Sequence, residues 1–308
     1  MLKTIGFFLG LLFFTHCAFS ERIVNTDGVR NALKVRFKIF KDVPRSEAEA
    51  IEMNFTKISD CETEHFRGKQ YMRYGDPLII PLFDVNGYIA GLQTGVPVGL
   101  DNNYPPAIMQ PPFIQDGDLF KLTAYFVDPL LICKRGRSKQ QFIRTGTGQD
   151  LFIQTGKDPE TDILEIDEHM TETKWVQGLC FPQMGYHYFK EVSLDMSCET
   201  FFPVALLYYH GELQGFVWSL GAILNSTFVS YEYPEPEFFL ELLKEVPTCL
   251  NTLRRSTMHV YFKDNIDTFT CKAPPAKESP CTSDSAFPVL EKILIVWFSI
   301  FMLIKMTY

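Results

Sequence analysis

Leu206-Leu207-Tyr208-Tyr209-His210-Gly211-Glu212-Leu213-Gln214-Gly215-Phe216 decides how this chain is read. Apolar and aromatic residues run up to a His-Gly pair, where glycine supplies the positive φ that a tight turn needs, and a second apolar run returns. The stretch reads as a β-hairpin. An earlier stretch repeats the pattern, Leu82-Phe83-Asp84-Val85-Asn86-Gly87-Tyr88-Ile89-Ala90-Gly91-Leu92, with Asn-Gly at its turn. Two landmarks flank each hairpin in the same order. Cys-Glu-Thr precedes it, at Cys61 and Cys198, and Tyr-Phe-x-Asp follows it, at Tyr125 and Tyr261, with Cys133 and Cys271 a few residues on. The shared order points to two duplicated β-rich halves. The competing reading is coincidence, because strand-turn-strand patterns recur in unrelated β proteins.

Strand signals continue outward from the hairpins. Lys34 to Phe40 alternates, Leu78 to Phe83 is a short apolar run, and Leu119 to Val127 is rich in aromatic and β-branched residues. Further runs lie at Leu151 to Gln154, Tyr186 to Phe189, Phe228 to Tyr233 and His259 to Phe262. Helix signals are few: Ser46 with Glu49 ahead of Ile51 resembles a capping box, and Glu235 to Glu245 has an acidic start followed by Phe238, Leu240, Leu242 and Leu243. The expected fold is therefore a β-rich α+β ectodomain held by disulfides.

The two ends of the chain are apolar. Lys3, the run Ile5 to Phe14, and Ala18-Phe19-Ser20 have the charge, length and small residues of a secretory signal peptide cut after Ser20. At the far end, Ile293 to Ile304 is too short for a bilayer span, since twelve residues at a 1.5 Å rise cover roughly 18 Å of a ~30 Å core. Small residues Ser283-Asp284-Ser285-Ala286, a short spacer and this tail make a GPI-attachment signal, with Ser283 as the expected attachment residue. The division of the chain is then 1–20 signal peptide, 21–145 and 146–283 the two halves, and 284–308 the propeptide. These readings place the protein on the extracellular face of the plasma membrane, tethered through a GPI lipid.

Composition agrees with that address. Cys17 leaves with the signal peptide, and none of the remaining cysteines forms a C-x-x-C pair, so disulfides are favoured over a zinc ribbon or a thioredoxin-like motif. If the duplication holds, the bridges are Cys61 to Cys133 and Cys198 to Cys271, with Cys180 to Cys249 as the third and Cys281 left near the anchor. Asn54-Phe55-Thr56 and Asn225-Ser226-Thr227 are glycosylation sequons. A formal net charge of −8 argues against nucleic acid and leaves extracellular protein or glycan as the partner class. Against that background, Lys134 to Lys139 stands out as a basic stretch and reads as a solvated loop.

Three further segments resemble a known group. Leu179 to Tyr188, with Met184-Gly185-Tyr186-His187-Tyr188, then Phe202 to Tyr208, then Ser256-Thr257-Met258-His259-Val260-Tyr261 are similar to landmarks of a group of secreted invertebrate proteins. The likeness covers roughly Leu78 to Phe262. It implies no activity, so no catalytic residue is carried over.

Histidines are the best candidates for chemistry. His187, His210 and His259 fall in or beside strand-like runs of the second half, and three converging imidazoles would hold zinc, or copper if Met184 or Met258 joined. Each alone is better read as a hydrogen-bonded core or turn residue. Asp158-x-Glu160-x-Asp162 begins like a calcium loop, but Ile163 stands where glycine must turn the chain, which leaves at most a looser calcium site. No G-x-S-x-G elbow, H-E-x-x-H helix or phosphate-binding glycine loop occurs. Two function classes result: a non-enzymatic surface protein that binds or recognises a ligand, and a metal-dependent enzyme or metal carrier built on the three histidines. A structural coat protein is a third.

Overall fold

Fifteen strands form the framework of the residues described by the computed structural model, which are 29–271 apart from 37–38, 101, 169–173 and 252. In chain order they are β1 (Lys34–Arg36), β2 (Phe40–Asp42), β3 (Phe55–Lys57), β4 (Lys69–Arg73), β5 (Ile80–Phe83), β6 (Ile89–Pro97), β7 (Ile114–Asp116) and β8 (Leu119–Tyr125). Then come β9 (Phe152–Gln154), β10 (Ile163–Glu165), β11 (Trp175–Phe181), β12 (Gly185–Lys190), β13 (Val204–Tyr209), β14 (Glu212–Leu220) and β15 (Ser256–Tyr261). The expected signal peptide, Cys281, Ser283 and the apolar tail lie outside the described residues. No helix among the described residues is long and apolar enough to cross a membrane.

All pairings are antiparallel, and they form two sheets. One is ordered β11-β12-β13-β14-β15-β1-β2, and the other β10-β9-β8-β6-β5-β4-β3, with β7 added along β8. Alternation along the strands sends one set of side chains from each sheet into a shared core that includes Val35, Leu92, Leu122, Phe126, Phe216, Trp218 and Phe262. Phe126 and Phe262 meet there edge to face at 5.3 Å. The outer faces carry smaller clusters, one around Leu207, Val217, Phe239 and Tyr261 and the other around Leu82, Tyr125 and Ile132.

Both expected hairpins form, β5–β6 and β13–β14, and their details agree. The register slips after Leu82 in the first and after Leu207 in the second, so each return strand carries a bulge, at Ala90 and at Gln214. Beyond the bulge, Gly91 lies opposite Tyr125 and Gly215 opposite Tyr261. Glycine is required at both places. A Cβ would come within 2.6 Å of the Ala124 carbonyl oxygen from position 91 and within 2.0 Å of the Val260 carbonyl oxygen from position 215. The structural match pairs Leu82 with Leu207, one residue on from the sequence match, because the first turn is one residue longer.

The halves expected to meet near residue 145 exchange their first strands. β1 pairs with β15, Lys34 opposite Tyr261, and β9 pairs with β8, Phe152 opposite Tyr125. One compact unit runs through to Cys271.

All six cysteines expected to pair do so, with two of the three partners changed. Cys61–Cys133 forms, but the others are Cys180–Cys271 and Cys198–Cys249, with Cα separations of 5.6 and 5.5 Å. The two Cys-Glu-Thr tripeptides are not equivalent: Cys198 opens a 3-10 turn, whereas Cys61 lies in a loop ahead of β4. The cysteine that enters the first sheet beside β12 is Cys180, on β11.

Helices are short. α1 (Glu47–Glu52) is capped by the Ser46 side chain, which accepts from Glu49 N. The acidic segment beginning at Glu235 gives only a 3-10 turn and a short helix, Phe239–Leu242, because Phe239, Leu242 and Leu243 are already buried against the sheet within that span. Phe228 to Tyr233 is not a strand: Glu232 alone bridges to Thr257, and Pro234 has no N–H with which to continue. The basic stretch is not merely a solvated loop. Arg137 is buried, its side chain donates to the Gly146 and Ile89 carbonyls and approaches the buried Asp84 at 3.7 Å, and Ser138 then caps a helix over Lys139–Thr145.

Asp76 joins the two sheets. Its Oδ2 accepts from the Ser226 and Thr227 hydroxyls at 2.7 and 2.8 Å and from Phe228 N at 3.2 Å, while Oδ1 accepts from Leu78 N at 3.0 Å. Burial pushes its pKa up, but these donors outweigh burial and hold the carboxyl below its ordinary value. A carboxyl depressed by folding stabilises the protein above its unfolded pKa, and that contribution fades as pH falls through the folded one. Asp76→Ala is expected to cost about 3 kcal/mol at pH 7 by urea denaturation, with a smaller penalty in strongly acidic buffer. An equal penalty at both pH values would show that the charge does not matter.

Candidate binding site

The structure brings together two of the three candidate histidines. His187 on β12 and His259 on β15 project onto the outer face of the first sheet, where their Nε2 atoms stand 3.4 Å apart with the rings nearly perpendicular. They meet across β13 and β14, over Ala205 and Val217. The loop and helix contributing Pro234, Phe238, Phe239 and Leu242 enclose them, leaving a cavity of about 30 Å³. His259 Nδ1 lies 3.2 Å from the Glu232 carboxylate but, like His187 Nδ1, is without a well-aligned hydrogen bond.

His210 is not part of this pair. It occupies the β13–β14 turn at φ 52°, stacked on Tyr209 at 3.9 Å. No group of three metal-ligating side chains occurs among the described residues. The acidic run at Asp158 is likewise committed to its own turn: Asp158 Oδ1 accepts from Glu160 N, Asp162 Oδ2 accepts from Asp158 N, and Glu160 pairs with Arg67.

A second arrangement was not anticipated from the sequence. Arg255, immediately before β15, is buried to 2% exposure. Its Nε donates to the Ser219 hydroxyl and its Nη2 to the Ser219 carbonyl, both at 2.9 Å, and its guanidinium carbon lies 4.1 Å above the centre of the Phe201 ring. Nη1 has no partner. Burial lowers its pKa to about 10, opposed only by the nearby Tyr104, and no carboxylate pairs with it among the described residues. Since burying an unpaired charge costs several kcal/mol, this guanidinium is an unbalanced group.

Arg255 lines an open cavity of about 210 Å³, together with Asn102, Tyr104, Met109, Glu199 and Phe201. The Tyr104 ring packs over Gly221, where a Cβ would fall 2.8 Å from the ring, and Asn102 Nδ2 donates to the Gly221 carbonyl at 3.0 Å. Cys198–Cys249 staples the wall that carries Glu199 and Phe201. Nothing in the sequence around Leu253-Arg254-Arg255 distinguishes this arginine from a surface residue.

Compared with models of protein families, with curated proteins and with solved structures, the chain matches none.

The histidine pair generates a pH prediction. Burial, and then the neighbouring His259, lower the pKa of His187 to about 3. A histidine kept neutral in the fold binds a proton only on unfolding, so stability falls as pH drops from the ordinary histidine value of 6.5 toward about 3. His187→Leu should flatten that acid limb by about 1.4 kcal/mol per pH unit in denaturant titrations between pH 6 and 4. An unchanged slope would mean that His187 is already protonated in the folded protein.

Proposed function

We propose that this chain is an exported, GPI-tethered surface glycoprotein that binds its ligand without transforming it, and that the cavity beside Arg255 is its binding element. The observation that carries this reading is the buried guanidinium left without a counter-charge on an open cavity. Such a group favours a ligand over an empty site, because a ligand can supply the partner that the fold withholds. The address rests on the two apolar ends of the sequence, and the three disulfides are compatible with an oxidising compartment. Asn54 and Asn225 are both exposed, as glycan acceptors must be.

Full-length protein expressed on animal cells is expected to enter the medium after treatment with a phosphatidylinositol-specific phospholipase C. Peptide-N-glycosidase should reduce its mass by two glycans, one of which is lost in Asn54→Gln and the other in Asn225→Gln. Surface protein that resists the phospholipase would rule out the GPI tether, and a chain retained in the cytosol without glycans would rule out export.

The histidine pair supports a second reading, as a metal site. Two ligands of a tetrahedral zinc at about 2.0–2.1 Å lie roughly 3.4 Å apart, the separation found between His187 and His259. Elemental analysis of the purified full chain tests it. Near-stoichiometric zinc or copper that disappears in the His187→Ala, His259→Ala double variant would establish a metal carrier or enzyme, while metal-free folded protein would leave the pair a hydrogen-bonded core feature.

We also infer that the two sheets descend from one duplicated unit. Support comes from the common hairpin slip, from Gly91 and Gly215 opposite Tyr125 and Tyr261, and from bridges Cys61–Cys133 and Cys180–Cys271, each of which runs from the entering edge of a sheet to the segment after its Tyr-Phe-x-Asp strand. Related chains in which these paired positions vary independently would break the inference.

A further inference from the structure

We propose that the Arg255 cavity takes a small, singly charged organic carboxylate, bound through the free Nη1 of Arg255 with its apolar body against Phe201, Met109 and Leu253. This rests on the reading of the cavity as the binding element and specifies its ligand. Three observations lead to it. The first is the donor inventory. A guanidinium carries five N–H donors in a rigid fork, and those on Nε and Nη2 that reach Ser219 leave both hydrogens of Nη1 unused. Carboxylates match that fork, and a charge-assisted bond inside a partly desolvated cavity is stronger than one formed in water.

The second is the choice between two cavities, since Arg255 also lines a neighbouring one with Tyr233, Pro234 and Glu235. Phe201, on which the guanidinium stacks, and Tyr104, the group that acts on its charge, both belong to the cavity with Asn102 and Glu199. Burial raises the Tyr104 pKa, so its hydroxyl keeps its proton and can donate. The third is the balance of charge and size. A single buried cation faces exposed Glu199 at the same cavity, so a second negative charge on the ligand would be repelled rather than neutralised. The volume of about 210 Å³ lies below the roughly 300 Å³ at which drug-sized pockets begin, and the walls are largely apolar. A phosphate dianion fits neither the charge nor the walls.

The test uses the full chain expressed by animal cells and purified from their surface, and three probes: sodium benzoate, its neutral isostere benzamide, and inorganic phosphate. Saturation-transfer NMR and calorimetry should show saturable binding of benzoate, at least tenfold weaker binding of benzamide, and no competition from phosphate. Arg255→Gln should remove benzoate binding. Because that change touches a buried group, Glu199→Gln provides an independent readout at an exposed position. It should tighten benzoate binding several-fold, while Glu235→Gln, beside the other cavity, leaves it unchanged. Equal binding of benzoate and benzamide would overturn the carboxylate assignment while leaving the cavity a binding site. Competition by phosphate would overturn the single-charge argument, and a response to Glu235→Gln but not to Glu199→Gln would overturn the choice of cavity. Failure of all three probes to bind folded protein would overturn both this inference and the reading on which it rests.

Discussion

Each sheet of this protein must hide one face against the other, and the joint is closed where Phe126 and Phe262 meet edge to face. These two phenylalanines immediately follow the central strands β8 and β15, and each backbone N–H donates across a bulge, to Ala90 O and to Gln214 O. The bulges depend on Gly91 and Gly215, since any side chain there would enter the neighbouring strand. Hairpin geometry, strand register and the aromatic joint are therefore one constraint. Arg30 caps the joint from the side, with its guanidinium 4.6 Å over the Phe262 ring.

The outer faces solve a second problem differently in each sheet. His187 lies opposite Leu207 as Gln70 lies opposite Leu82, and His259 lies opposite Val217 as Thr123 lies opposite Gln93. All five of these polar residues are buried. In one sheet the groups are amides, a hydroxyl and a neighbouring lysine: Gln93 Nε2 donates to Thr123 Oγ1 at 3.0 Å, and Lys121 Nζ to Gln70 Oε1 at 2.6 Å, with Gln70 Nε2 and Gln93 Oε1 left over. In the other, two imidazoles meet at Nε2 beside Glu232, and both Nδ1 atoms are left over. Matching positions thus carry amides and a hydroxyl in one sheet and imidazoles in the other.

Much of the scaffold was legible from local pattern. Both hairpins were found, because alternation and a turn glycine are signals contained within a few residues. Signals spread over distant segments misled or were silent. The repeated Cys-Glu-Thr suggested the wrong partner for Cys198, since three shared letters say nothing of which strand carries the bridge. β11 escaped notice because Gly178 and a bulge between Gln177 and Cys180 break its alternation. The site was less readable than the fold. His187 and His259 were named as candidates, but His210 shares only their letter and not their face of the sheet. Arg255 gave no sign, because what makes it unusual is the absence of a neighbour, and sequence records only the residues that are present.

The exchange of first strands carries a cost in time. β1 can pair with β2 at once but cannot join its sheet until β15 exists, so the two strands must wait at its edge while more than two hundred further residues are synthesised. The first sheet closes only when its beginning and its end are in the same compartment together, and the Cys180–Cys271 bridge can lock it only then. A chain ending between Leu220 and Ser256 would present an open sheet edge at β14, the kind of surface that invites wrong pairing with another chain.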